Sequence, residues 1–162
     1  MCGITYHPDV RAMIDYWQSI HPEGGLPGRR HFEPADVKQY LPTIRLVDVE
    51  GPPYRFRVRL AGTAITEFYR VDHTGRWFDE FVDDFDASET SRDLNDVVET
   101  RRLGWRRGVS RIVRDREFQT FERLILPFAR DGQSVDMLMI FMVFADWQFG
   151  GGNSGRATVR AI

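Results

Sequence analysis

The sequence predicts an α+β domain, one antiparallel sheet with helices packed on it. Three observations carry this. From Tyr54 the chain alternates, with Tyr54, Phe56, Val58 and Leu60 on one face and Arg55, Arg57 and Arg59 on the other, the period of a half-buried strand. Met137 to Phe144 is apolar on both faces, as a strand in the middle of a sheet covered on both sides must be. Between these two stretches the period changes to short helical segments broken by glycine, so a hairpin and a later meander are joined by a helical insert.

The elements follow in order. Pro8 suits the first turn of a helix and Asp9 complements its dipole there. Val10, Met13, Ile14, Trp17 and Ile20 then recur at helical spacing, predicting an N-terminal helix over about 8–21 that stops before Pro22. A short helix is expected after Pro34, with Val37, Tyr40 and Leu41 on one face and Pro42 as its stop. Residues 43–50 predict a strand with Ile44 and Leu46 on one face and Val47 and Val49 on the other. Gly51-Pro52-Pro53 then turns the chain into the alternating strand, making an antiparallel hairpin.

Gly62-Thr63 breaks that strand, and Ile65, Phe68 and Tyr69 suggest one or two helical turns. After His73-Thr74-Gly75 come Trp77, Phe78 and Phe81. Asp86 to Glu89 resembles a capping box opening a longer helix with Leu94, Val97 and Val98, which Gly104 can terminate. Three strands close the domain. Residues 105–114 are arginine-rich and suit a sheet edge. Residues 118–128 and 135–145 flank an Asp131-Gly132 hairpin turn. The core is therefore expected over about 40–147, within one domain spanning 1–149, and the glycine-rich tail of 150–162 is expected to be mobile.

The bulk properties agree with one globular domain. The 162 residues support one substantial core, and 42% hydrophobic with 28% charged residues argues against disorder. A formal net charge of -2 supplies no general pull towards nucleic acid or anionic membranes. Cys2 is the sole cysteine, which excludes an intrachain disulfide and a cysteine-rich zinc site. With no signal peptide and no apolar run long enough to span a bilayer, a cytoplasmic location is expected, with no membrane partner.

Taken together, the order of two strands, helices and three strands resembles that of PAS domains. The segments that carry the resemblance are Leu26-Pro27-Gly28-Arg29, Pro34-Ala35-Asp36 with Leu41-Pro42, Leu46-Val47-Asp48-Val49, and Phe56 to Thr63. They continue with Thr74-Gly75-Arg76 and with Arg123 to Pro127 before Asp131-Gly132. Their joint order over about 10–145 is similar to a bacterial PAS family found mostly in alphaproteobacteria. The resemblance implies a five-stranded sheet whose concave face, with the middle helices, forms a sensor pocket, here in a stand-alone protein with an extra N-terminal helix. It does not name a ligand. Flavin-binding PAS domains carry a reactive cysteine in the helical segment, and this chain has none there, so a flavin–cysteine photocycle and a thioester-linked chromophore are excluded. Haem-binding members use an axial histidine in that region. His73 is the only one there and lies beside a turn, which speaks against haem.

Catalytic signatures are missing: there is no HExxH, no phosphate loop and no Gly-x-Ser-x-Gly elbow. The expected role is sensory or regulatory, not enzymatic. Asp79, Glu80, Asp83, Asp84 and Asp86 lack the spacing of a calcium loop and read as a solvated segment. The stripe of Arg55, Arg57 and Arg59, with Arg106, Arg107 and Arg111, reads as charge that blunts strand edges and not as a nucleic-acid surface. If the hairpin pairs Glu50 with Tyr54, Asp48 shares a face with Ile44, Phe56 and Val58. A carboxylate there either pairs with an arginine or loop amides, or touches a ligand. The candidate pocket is Asp48, Tyr54, Phe56, Phe68, Tyr69, His73, Trp77, Phe78, Met139 and Phe141, holding a small, mainly apolar molecule. The same aromatic and Met residues would serve equally as a filled core in a ligand-free interaction module. The N-terminal stripe is expected to be shared across a homodimer, and a regulatory protein is the expected signalling partner.

Overall fold

The computed structural model describes residues 3, 5–109, 120–144, 148–149 and 157–158. Helix α1 (Pro8–Ser19) precedes two 3-10 segments, Arg29–His31 and Pro34–Thr43. Strands β1 (Ile44–Glu50) and β2 (Arg55–Ala61) form the hairpin. Helices α2 (Thr63–Tyr69) and α3 (Phe78–Phe81), a 3-10 turn at Phe85–Ala87 and helix α4 (Glu89–Thr100) make up the insert. Strands β3 (Gly104–Val109), β4 (Thr120–Phe128) and β5 (Met137–Phe144) follow. The five pair antiparallel in the order β2-β1-β5-β4-β3, the α+β arrangement that the sequence predicts, with β5 at the centre and arginine-rich β3 at an edge.

Both faces of the sheet are covered. Ile44 and Leu46 of β1, Leu124 and Leu126 of β4 and Met137, Met139 and Phe141 of β5 face outward beneath α1 and the 3-10 segments. Val47 of β1, Phe56 and Val58 of β2, Ile125 of β4 and Leu138, Ile140 and Met142 of β5 face inward beneath α2, α3 and α4. Each face of β5 thus has its own core, which explains why no polar residue interrupts it.

The helix ends show local chemistry at work. His7 caps α1, its ring accepting the Asp9 amide at 3.1 Å. The expected cap at Asp86 lies two residues early. Ser88 caps α4 instead, accepting the Ser91 amide at 3.0 Å, because Phe85–Ala87 already makes its own 3-10 turn. Nor does Gly104 end α4, since Arg101 takes the left-handed cap with φ 57. Gly104 opens β3, where a Cβ would come within 2.7 Å of Val97. Pro42 does not stop its segment, which continues as 3-10 turns to Thr43. Gly62, where β2 hands over to α2, is held for space: a Cβ would lie 2.3 Å from the Leu41 and Pro42 carbonyls.

One expectation about faces is corrected. The hairpin pairs Glu50 with Arg55, and Arg59 is an extra residue opposite the Leu46–Val47 step. This bulge reverses the alternation. Phe56 and Val58 remain inside, but Leu60 turns outward and is 51% exposed. The stripe on α1 packs within its own chain, with Ile20 at its end half-buried. Val10, Met13, Ile14 and Trp17 are buried against the same chain's outer sheet face, and the Trp17 indole donates to the Pro127 carbonyl at 3.1 Å.

No helix among the described residues is long and apolar enough to cross a membrane. In the tail, Ala157–Thr158 pairs with Gln148–Phe149, and the remainder of 150–162 lies outside the described residues, as do Arg111 and the strand ends expected at 110–114 and 118.

Candidate ligand site

The insert covers the inner face with short pieces. β2 ends at Ala61 and α2 begins at Thr63 after the single residue Gly62, placing Ala64, Ile65 and Phe68 against the sheet. Phe68 stacks on Phe144 at 4.1 Å between ring centroids. α2 stops at Arg70 in the left-handed conformation, and Asp72 then shapes a turn by accepting the Thr74 amide at 2.9 Å and its hydroxyl at 2.6 Å. That turn runs along the free edge of β2, where Val58 exchanges backbone hydrogen bonds with Gly75 and Arg76. The chain passes Trp77 at the rim and re-enters the inner face at Phe78.

His73 is carried inward by this turn. It is buried and lies flat on Phe81 at 3.9 Å with an interplanar angle of 10°, and its Nδ1 has no hydrogen-bond partner among the described residues. Burial, reinforced by Arg45 and Arg76, lowers its pKa to about 4, so the ring is neutral at physiological pH. Tyr69 and Phe81 stand against it, and from Phe81 the rings continue through Phe78 and Phe85 to Phe56.

Of the ten candidate pocket residues, the structure brings together Phe56, Phe68 and Phe78 in the inner core, with Tyr54 and Tyr69 half-buried against it and His73 buried at its margin. Trp77 is half-buried at the rim, under the Arg55 and Arg57 guanidinium groups at 4.1 and 5.5 Å. Met139 and Phe141 are not there. They point to the outer core, Phe141 against Tyr40, because their parity along β5 is opposite to that of Ile140 and Met142. Asp48 is also on the outer side. It pairs across the hairpin with Arg57, out of phase with Phe56, and its Oδ1 lies 2.7 Å from the Arg59 guanidinium.

The inner face also holds charges among its apolar residues. Arg45 and Arg123 share parity with Val47 and Ile125 and therefore point inward. Arg123 donates to Asp93 of α4 in a very short contact and to the Thr90 hydroxyl at 3.2 Å. Asp93 also accepts two bonds from Arg106, at 2.6 and 2.8 Å. Burial works against the Asp93 carboxylate, but the two arginines overcome it and hold its pKa below the usual range. Arg45 has no such partner among the described residues. Its guanidinium lies over Tyr69 at 5.2 Å and Phe78 at 5.7 Å, and its Nε has no acceptor.

Other charges are paired. Arg55 grips Asp79 with two bonds, Arg76 pairs with Glu80, and Arg107 pairs with Glu122 on the outer face. Glu122 is fully buried and also accepts the His7 amide and the Trp105 indole.

Compared with known families, residues 5–142 match the model of one described as a PAS domain. No individually curated protein matches the chain.

Proposed function

The chain belongs to the PAS domain family, a family of sensory and regulatory domains, and we propose that it holds a small, mainly apolar molecule between the inner sheet face and the α2–α4 insert. Occupancy would shift the insert, and a protein partner would read that shift; no catalytic step is involved. One observation carries the reading. The inner face is an apolar core, yet it contains buried nitrogens of His73, Arg45 and Arg123 that have no acceptor or donor opposite them among the described residues. A core that served packing alone would leave such groups out or pair them. The lid over them consists of short pieces, seven residues in α2 and four in α3, joined by a glycine turn. Such segments open at lower free energy than long packed elements. Tyr54, Phe56, Phe68, Tyr69, His73, Trp77 and Phe78 are the proposed contacts.

A second reading, a ligand-free interaction module, is favoured by the close stacking of Phe68 on Phe144. Native mass spectrometry separates the two. A discrete small mass released from the purified protein on denaturation supports the ligand reading. A protein that carries none and is stabilised by no small molecule supports the interaction module.

A further inference from the structure

Among the described residues, one buried cation of the inner face has no carboxylate against it. Arg106 and Arg123 are matched by Asp93 and Glu89, with Glu89 3.7 Å from Arg106. Asp72 is occupied by Thr74, Asp79 by Arg55, and Glu80 by Arg76. Arg45, 7% exposed, is left without a carboxylate among the described residues. A guanidinium cannot escape by losing its proton at any ordinary pH. Burial lowers the Arg45 pKa, partly offset by Tyr69, and the like charge of Arg123 lowers it further, so the environment opposes the charge it contains. The two aromatic rings offset part of this through their faces, but cation–π contact does not satisfy N–H donors.

Resting on the ligand-site reading above, we propose that the inner face is built for a small organic monoanion, a carboxylate with an apolar body, whose charged end is held by Arg45. The planar fork of the guanidinium matches a carboxylate in two parallel hydrogen bonds. The second buried orphan on this face, Arg123 Nε, offers a further N–H, and neutral His73 a ring nitrogen on the Tyr69 and Phe81 side. One buried guanidinium without a counter-charge calls for one negative charge. A phosphate, nearer to minus two, would leave the site with a buried excess of the other sign. The body of the molecule meets Phe68, Phe78, Phe81 and Met142, which are apolar.

The test is calorimetric titration of the whole protein with hexanoate, benzoate, phenylacetate and cinnamate, each beside its primary amide. The amide keeps the shape and removes the charge. At least one acid is expected to bind about tenfold or more tightly than its amide, the usual worth of a charge-assisted hydrogen bond. In Arg45→Met that preference disappears, and the empty variant unfolds at the same denaturant concentration as the wild type or a higher one, because an unmatched charge is gone. Arg45→Lys keeps the charge without the fork, and its preference for the acid falls between the two. Amides that bind as well as acids overturn the anion proposal and leave the ligand site standing. No binding by any acid or amide overturns both. A lower midpoint for empty Arg45→Met, together with an unchanged acid preference, makes Arg45 a structural cation and overturns the proposal.

Discussion

Asp48 Oδ1 lies 2.7 Å from the Arg59 guanidinium, across the bulge that turns Leu60 out of the core. Because Arg59 is half-exposed, it regains water when its partner is removed. Asp48→Asn is therefore expected to lower stability by only about 0.5–1 kcal/mol. Leu60→Thr should be neutral within about 0.5 kcal/mol, whereas Phe56→Ala in the same strand should cost about 3–5 kcal/mol. Urea denaturation of the three variants checks the register directly, and equal losses at Leu60 and Phe56 would contradict the bulge.

This hairpin also marks the limit of what the sequence reveals. The strands, the sheet edge at β3 and the buried centre at β5 are legible because periodicity and composition agree. Hydrophobic alternation does not expose a one-residue bulge, since Arg59 and Leu60 continue the pattern that the backbone breaks. That single residue, with the Glu50–Arg55 pairing, moves Asp48 and Leu60 to the outer face. Met139 and Phe141 were unassignable for the opposite reason: with both sides of β5 apolar, parity has no visible sign. Arg45 was readable, since it shares parity with Val47 and Val49, but a lone charge among β-branched residues does not declare whether it is paired. His73 depends on a turn whose inward direction no pattern encodes.

Acid should destabilise the protein in two steps. His73 has its pKa lowered to about 4 in the fold, from an ordinary value of 6.5. Between these values the unfolded chain binds the proton and the folded chain does not, so stability is full above about pH 6.5 and falls as pH drops towards 4. Glu122 follows at lower pH. Burial opposes its charge, but Arg107, the His7 amide and the Trp105 indole prevail and depress its pKa, so its contribution is present above its unfolded value of 4.5 and is lost as pH falls below it. His73→Phe should abolish the first loss and leave the second. Thermal unfolding at graded pH checks both.

Asp93 is expected to be the most sensitive acidic position on the inner side. Asp93→Asn leaves Arg123 buried with its counter-charge removed, at a cost of about 3 kcal/mol. Combining it with Arg123→Met should recover most of that loss, which a double-mutant cycle by chemical denaturation will measure. A simple sum of two losses would show that the ion pair is not the source.

On the outer face, Trp17 is covered by its own chain. Trp17→Ala should therefore cost about 3–5 kcal/mol by cavity formation and loss of the indole hydrogen bond. The unfolding midpoint should not depend on protein concentration more than that of the wild type. A concentration-dependent midpoint in the wild type that Trp17→Ala removes would place the stripe at a subunit interface.

The central claim, that the inner face beneath α2 and α3 holds a small molecule, is tested most directly by hydrogen exchange on the protein as purified and after unfolding, dialysis and refolding. The emptied protein is expected to exchange faster through residues 63–81, with β5 (Met137–Phe144) and α1 (Pro8–Ser19) unchanged. Protection of 63–81 equal to that of β5 in the emptied protein, or a difference centred on α1, would contradict it.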